Sequence, residues 1–337
     1  MKTQTRVNRT LDFLKRALVR VSIFVVVLAI AGVIYQTAAT EADQSKYPPP
    51  GVLVNVGGYK MHIYCIGEGS PTVILDSANM GTVSNWVWIQ PEVAKSTRVC
   101  AYDRADSGWS DLSPQPNDTK QNAEALHTLL SNANMSGPYV LVGHSFGGLY
   151  VRMYAEMYPD EVAGMVFIEG TLPDGLKALG KSDVMPNAPN PQMMDGTPFI
   201  SRLGILRLVG FPSTDPDLPE PQRSELQAYL ASTKLAESLK RQYHLFPTLL
   251  AQVRPLYEAG SLGNIPVALV LGSEGDGGIA EWQELFTQQA ALSPNHMMVI
   301  VDGANHISLV DRQEHALQTS AVIIRVIEAA RSGQPLQ

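Results

Sequence analysis

The run Gly143-His144-Ser145-Phe146-Gly147 carries the residue types best suited to chemistry. An apolar stretch, Tyr139 to Val142, leads into it, and a helix-like stretch, Gly148 to Tyr158, leads out. Between such flanks the serine sits on a sharp strand-to-helix turn, a nucleophile elbow that lifts its hydroxyl into a pocket. The two backbones then run so close that side chains at 143 and 147 would clash, which accounts for the glycines. A serine hydroxyl alone attacks a carbonyl poorly because it must shed its proton. It needs a base, an acid to orient that base, and donors for the negative charge that forms on the carbonyl oxygen. Seven histidines are available for the first role.

The elements that would position these groups follow from the hydropathy pattern. Val52 to Val56, Gly57-Gly58 and Tyr59 to Cys65 predict a β-hairpin. Thr72 to Asp76, Thr97 to Asp103, Gly164 to Ile168, Val267 to Leu271 and Met298 to Val301 predict further strands. Helical spacing recurs between them, as in Ala123, Leu126, Leu129 and Leu130, and later in Leu317, Ala321, Ile324 and Ile327. Alternation of this kind implies an α/β fold with a largely parallel sheet covered on both faces. It stops over residues 171–263, a proline-rich stretch with helical pieces near Glu225 to Leu230 and Leu235 to Leu245. An insertion there, over the carboxyl ends of the strands, would act as a lid.

From about residue 52 to 330 the chain resembles the α/β-hydrolases of the serine esterase and lipase-like kind. The elbow with Gly148, the run Tyr102-Asp103-Arg104 followed by Gly108-Trp109-Ser110, and the late Gly303-Ala304-Asn305-His306 match that pattern in order. The resemblance implies a core of residues 52–170 and 264–332 with the lid at 171–263. It implies Ser145 as nucleophile and His306 as general base. The acid falls on Asp276, in the loop after Val267 to Leu271, with Glu169, at the end of Gly164 to Ile168, as the alternative. The oxyanion donors fall on the Phe146 N–H and on the N–H of Ala78, or alternatively Asn79. Here Asp76-Ser77-Ala78-Asn79 stands where many relatives carry His-Gly. Asp103 and Arg104 read as a structural ion pair. Second and fourth strands are neighbours in this family, so Cys65 and Cys100 could face each other as a disulfide, the alternative being two buried thiols. The expected reaction is hydrolysis of a carboxylic ester, lactone or thioester through an acyl-enzyme, with no metal and no cofactor. A serine, not an aspartate, at the elbow argues against dehalogenase and epoxide hydrolase chemistry. The alternatives are an aminopeptidase or amidase, for which Glu220, Glu225 and Glu237 could hold a substrate amine, and a non-catalytic ligand-binding protein on the same fold.

Overall the chain is 45% hydrophobic and 17% charged, with a net charge of −7, which argues against nucleic acid as a partner. The small acyl substrate is what the resemblance implies, and Met185, Met193 and Met194 of the lid stretch either line an apolar site for it or form the lid's own core. The N-terminus departs from this balance. Lys2, Arg6, Arg9, Lys15, Arg16 and Arg20 fill a basic segment, residues 1–20, ahead of an apolar stretch, residues 21–35. As a helix the stretch covers about 22 Å at 1.5 Å per residue, short of a roughly 30 Å bilayer core unless Leu18 and Val19 extend it. The expectation is a transmembrane signal anchor in the cell membrane with the N-terminus inside and the catalytic domain outside the cytoplasm. Cleavage near Thr37-Ala38-Ala39 would instead release a secreted protein. Residues 36–51, ending Tyr47-Pro48-Pro49-Pro50-Gly51, are expected to form a stiff tether.

Overall fold

The computed structural model describes residues 2–173, 191–258, 260–275 and 280–336. Eight strands form one sheet: β1 (Val52–Asn55), β2 (Lys60–Ile66), β3 (Thr72–Asp76), β4 (Val99–Tyr102), β5 (Tyr139–His144), β6 (Val162–Ile168), β7 (Val267–Gly272) and β8 (His296–Val301). Their order is β1-β2-β4-β3-β5-β6-β7-β8. The β1–β2 and β2–β4 pairs are antiparallel and every other pair is parallel. The expected α/β-hydrolase sheet with its opening hairpin is therefore present.

Helices α1 (Lys2–Lys46), α2 (Ile89–Val93), α3 (Thr119–Asn132) and α4 (Gly147–Met157) precede β6. Between β6 and β7 lie α5 (Pro191–Met194), α6 (Thr197–Arg202), α7 (Ile205–Val209), α8 (Gln222–Leu230) and α9 (Thr233–Glu258). The chain closes with α10 (Ala280–Ala290), α11 (Ser308–Asp311) and α12 (Gln313–Ser332). Side chains alternate across each strand, so the sheet buries two separate layers. Ile74, Leu141, Phe167 and Leu269 pack against α3, α4 and α9, whereas Val73, Val140, Val142 and Val166 pack against Trp86, Val93, Ile323 and Ile327. Strands covered on both faces must be apolar throughout, as β5 is from Tyr139 to Val142.

The segment after the apolar span differs from expectation. Residues 36–46 continue α1 without a break, and the link to the sheet shrinks to residues 47–51. Ala38, Ala39, Glu41, Ala42 and Gln44 favour helix. Contacts with the inserted segment hold them: Gln36 is 2% exposed and donates to the Ala231 carbonyl at 2.9 Å, while Arg207 pairs with Asp43 at 2.7 Å. Leu11–Lys46 is also long and apolar enough to cross a membrane.

Cys65 and Cys100 are directly opposite each other in the β2–β4 ladder and are joined as a disulfide. Closing a loop across 35 positions restricts the unfolded chain. Replacing both cysteines with serine should lower stability by about 2–4 kcal/mol, read as a fall in the denaturant midpoint, with a steeper slope as the unfolded chain expands.

Candidate active site

The parallel strands deliver their carboxyl ends to one edge of the sheet, where loops can converge without interrupting the ladders. Asp76 ends β3 opposite Gly143 of β5, and His144 pairs with Ile168 of β6. Ser145 follows immediately, at φ 54°, in the left-handed region that non-glycine residues seldom occupy. Its N–H donates to Ile168 O at 3.0 Å, and its carbonyl accepts from Gly148 N and Thr171 N at 2.9 Å each. The strained turn is thus held from three sides. A Cβ on Gly143 would lie 2.6 Å from the Gly147 carbonyl carbon, and one on Gly147 would lie 2.3 Å from Asp76 O. No side chain fits at either place, as the spacing predicted.

His306 lies in the loop between β8 and α11, with its side chain 34% exposed. Its Nδ1 is 2.7 Å from Oε2 of Glu169, whose side chain is fully buried. With Nδ1–H donated to the carboxylate, the Nε2 lone pair is left free to act as base. Glu169 stands one residue past β6 at φ 37°, and its Oε1 accepts the Gly272 N–H at 2.7 Å. A buried carboxylate requires such donors to offset its lost hydration. Asp276, the first expectation for the acid, lies outside the described residues.

His144 does more than flank the nucleophile. Its Nε2–H donates to the His306 carbonyl at 3.0 Å, with the rings 4.9 Å apart. Burial, together with the neighbouring His306, pushes its pKa down to about 3, so it stays neutral and donates steadily. The elbow thereby fixes the loop that carries His306.

Arg104 is not paired with Asp103, as the sequence suggested. Successive side chains leave an extended segment on opposite sides. Asp103 turns to His62 Nδ1 at 3.0 Å, while Arg104 turns to the buried carboxylate of Asp76, which Tyr102 also reaches at 2.6 Å. Burial pushes the Asp76 carboxyl up, and Arg104 and Tyr102 oppose that shift. The guanidinium donates in addition to the carbonyls of Ser77, at 2.6 Å, and Ala78, at 2.9 Å. In a trans peptide the N–H points opposite the preceding C=O, so the N–H groups of Ala78 and Asn79 are directed away from Arg104.

A cavity of about 380 Å³ adjoins the elbow, bordered by Ala78, His144, Leu230, Ile307 and Asp311 and walled on the inserted side by Pro212 and its followers. Asp311 was not foreseen, since nothing in Ser308-Leu309-Val310-Asp311 marks it. It accepts from Asn85 Nδ2 at 3.0 Å. Glu220 and Glu237 are engaged by Arg223 and Arg202, at 2.9 and 2.8 Å, and the half-buried Glu225 accepts from Ser84 Oγ at 3.0 Å. Among the described residues no cluster of His, Cys, Asp and Glu is suited to a metal ion.

Comparison with known proteins agrees with this fold. A profile of the Alpha/beta hydrolase family matches residues 75–318, and the chain belongs to that family. It is similar to an uncharacterised protein of Schizosaccharomyces pombe, 34% identical over 128 residues, which cover 38% of this chain and 24% of that protein. It is also similar to methylesterase 3 of Arabidopsis thaliana, 35% identical over 95 residues, 26% of this chain and 36% of that one. The chain therefore spans well under two thirds of either relative. The crystal structure of Cfl2 from Burkholderia cenocepacia superposes with a TM-score of 0.63 at 17% identity, covering 81% of this chain and 95% of that one, which is a likeness of fold.

Two outcomes follow from the buried charges. Arg104→Met would leave Asp76 unpaired and should cost about 3–5 kcal/mol in an unfolding titration. Burial, with Asp215 and Asp217 nearby, pushes the Asp311 carboxyl up to about 7 against the Asn85 hydrogen bond. A carboxyl raised in the folded state contributes stability at pH 4 and loses it as pH rises through about 7. Asp311→Asn should therefore flatten the decline in stability between those values, measured by denaturation across pH.

Proposed function

We propose that this chain is a serine hydrolase that cleaves an ester-type bond through an acyl-enzyme, with Ser145 as nucleophile, His306 as base and Glu169 as acid. The 2.7 Å hydrogen bond between His306 Nδ1 and Glu169 Oε2 carries the reading, because it fixes the tautomer that makes Nε2 a base beside a strained elbow serine. Ser145 Oγ attacks the carbonyl as His306 takes its proton. The imidazolium, stabilised by Glu169, returns that proton to the leaving alcohol, and a water activated by His306 then releases the acid. The Phe146 and Ala78 N–H groups receive the oxyanion; Arg104 supports the second by holding both flanking carbonyls on its own side. The cavity beside the elbow suits a small acyl group, and the named activity of the methylesterase relative is consistent with ester cleavage.

The same reading makes α1 a single membrane anchor with the basic N-terminus inside and the sheet outside the cytoplasm. A disulfide between Cys65 and Cys100 accords with an oxidising compartment. Residues 171–263 serve as the lid.

A fluorophosphonate probe should label the wild type and leave Ser145→Ala unlabelled; equal labelling of both would remove Ser145 as the nucleophile. Glu169→Gln should lower ester turnover by about 10⁴-fold, and Asp276→Asn by only a few-fold. The reverse ranking would assign the acid to Asp276, and no effect from either would end the triad reading.

A further inference from the structure

Helices α6 and α7 and the residues just after them expose an apolar set that the hydrolase chemistry does not use. Phe199, Leu208, Val209 and Phe211 are 65–69% exposed. A cluster of large apolar side chains on one short stretch is costly in water and marks a surface that meets something apolar. Its position identifies the occupant. The carbonyl of Leu203, between α6 and α7, lies against Gly32 so closely that a Cβ there would come within 2.4 Å, and Gly204 packs on the Tyr35 ring. Gly32 and Tyr35 belong to the last turn of the apolar span, whose side chains from Val21 to Tyr35 are themselves exposed wherever they are large. Polar contacts begin immediately beyond, with Gln36 to Ala231 and Asp43 to Arg207. The exposed set and the end of the span therefore share one level, and a bilayer around the span would meet both.

We propose that Phe199–Phe211 is a second lipid-contacting element, which seats the lid at the boundary between headgroups and acyl chains beside α1. The chain runs directly from Phe211 into Pro212–Pro216, which wall the cavity beside the elbow. Substrate then enters from the membrane, and its class is an amphiphilic ester dissolved in the bilayer. This rests on reading α1 as membrane-spanning and, for the substrate, on the proposed hydrolase activity.

The test uses the full chain in phosphatidylcholine nanodiscs. The two native cysteines are bonded to each other, so a cysteine introduced at Leu208 or Phe211 accepts a single NBD label. Val209→Cys and Phe199→Cys provide further exposed positions. Ile30→Cys marks the span, and Ser332→Cys, next to Arg331, which holds Ser70 at the opposite end of the sheet, marks the far side. With doxyl-labelled phosphatidylcholine, labels at 30, 208 and 211 should be quenched at least about twofold while the label at 332 is not. Quenching at 208 and 211 no greater than at 332 would overturn the proposal. So would a blue-shifted, lipid-insensitive emission there, which would instead indicate a second copy or a protein partner. Loss of quenching at 30 would defeat the anchor itself.

Replacing Phe199, Leu208 and Phe211 together with serine should slow hydrolysis of a bilayer-resident long-chain ester about 10-fold and keep a water-soluble short-chain ester within about twofold. Equal effects on both esters would overturn entry from the membrane. Failure of the wild type on both would count against the hydrolase reading, whereas seating of the lid is decided by the quenching alone.

Discussion

Arg104 is the charge on which the carboxyl edge of the sheet depends. It neutralises Asp76 at the end of β3, and it gathers the carbonyls of Ser77 and Ala78 beneath the loop that follows. Its guanidinium also lies 4.8 Å from the ring centroid of Tyr150 on α4, the helix that begins at the elbow. One planar cation thus ties together a strand end, the adjoining loop and the elbow helix, which a flexible ammonium could not do with the same geometry. The arrangement also explains how an aspartate is tolerated one residue before the loop proposed to receive negative charge. Its own charge is already compensated from below.

The elbow, Glu169 and His306 form a second, smaller network built on backbone. Ser145 donates to Ile168, and the next residue, Glu169, reaches His306. His306 in turn offers its carbonyl to His144, which precedes Ser145. The circuit closes within three adjacent loops, so displacement of any member is felt by the others. Left-handed backbone at both Ser145 and Glu169 places strain in this circuit, where the surrounding hydrogen bonds hold it.

The legible parts of the sequence were those whose cause is local. Gly143 and Gly147 flank the serine because two backbones touch there, and the apolar runs on either side announce the strand and helix. The contact between Glu169 and His306 was legible only as an alternative, since it depends on strand order and on a left-handed conformation that glutamate does not advertise. Asp103 and Arg104 misled because adjacency in sequence suggests pairing, whereas an extended backbone sends the two side chains apart. The stretch 36–46 read as tether because its prolines lie close behind, but alanines and contacts with Arg207 and Ala231 keep it helical. Asp311 drew no notice because only the fold brings Asn85 and the cavity to it.

The disulfide has a mechanical consequence. If α1 is fixed in a membrane, a pull that has freed Gln36 and Asp43 from the inserted segment enters through residues 47–51 into β1, the edge strand, and would peel β1 from β2 and then β2 from β4. Such unzipping breaks ladder hydrogen bonds a few at a time and resists little force. It would stop at Cys65, where a covalent bond to Cys100 replaces the ladder. Ser145, Glu169 and His306 all lie beyond that point in the chain, so the bond divides a hairpin that can yield from a unit that keeps its shape under tension.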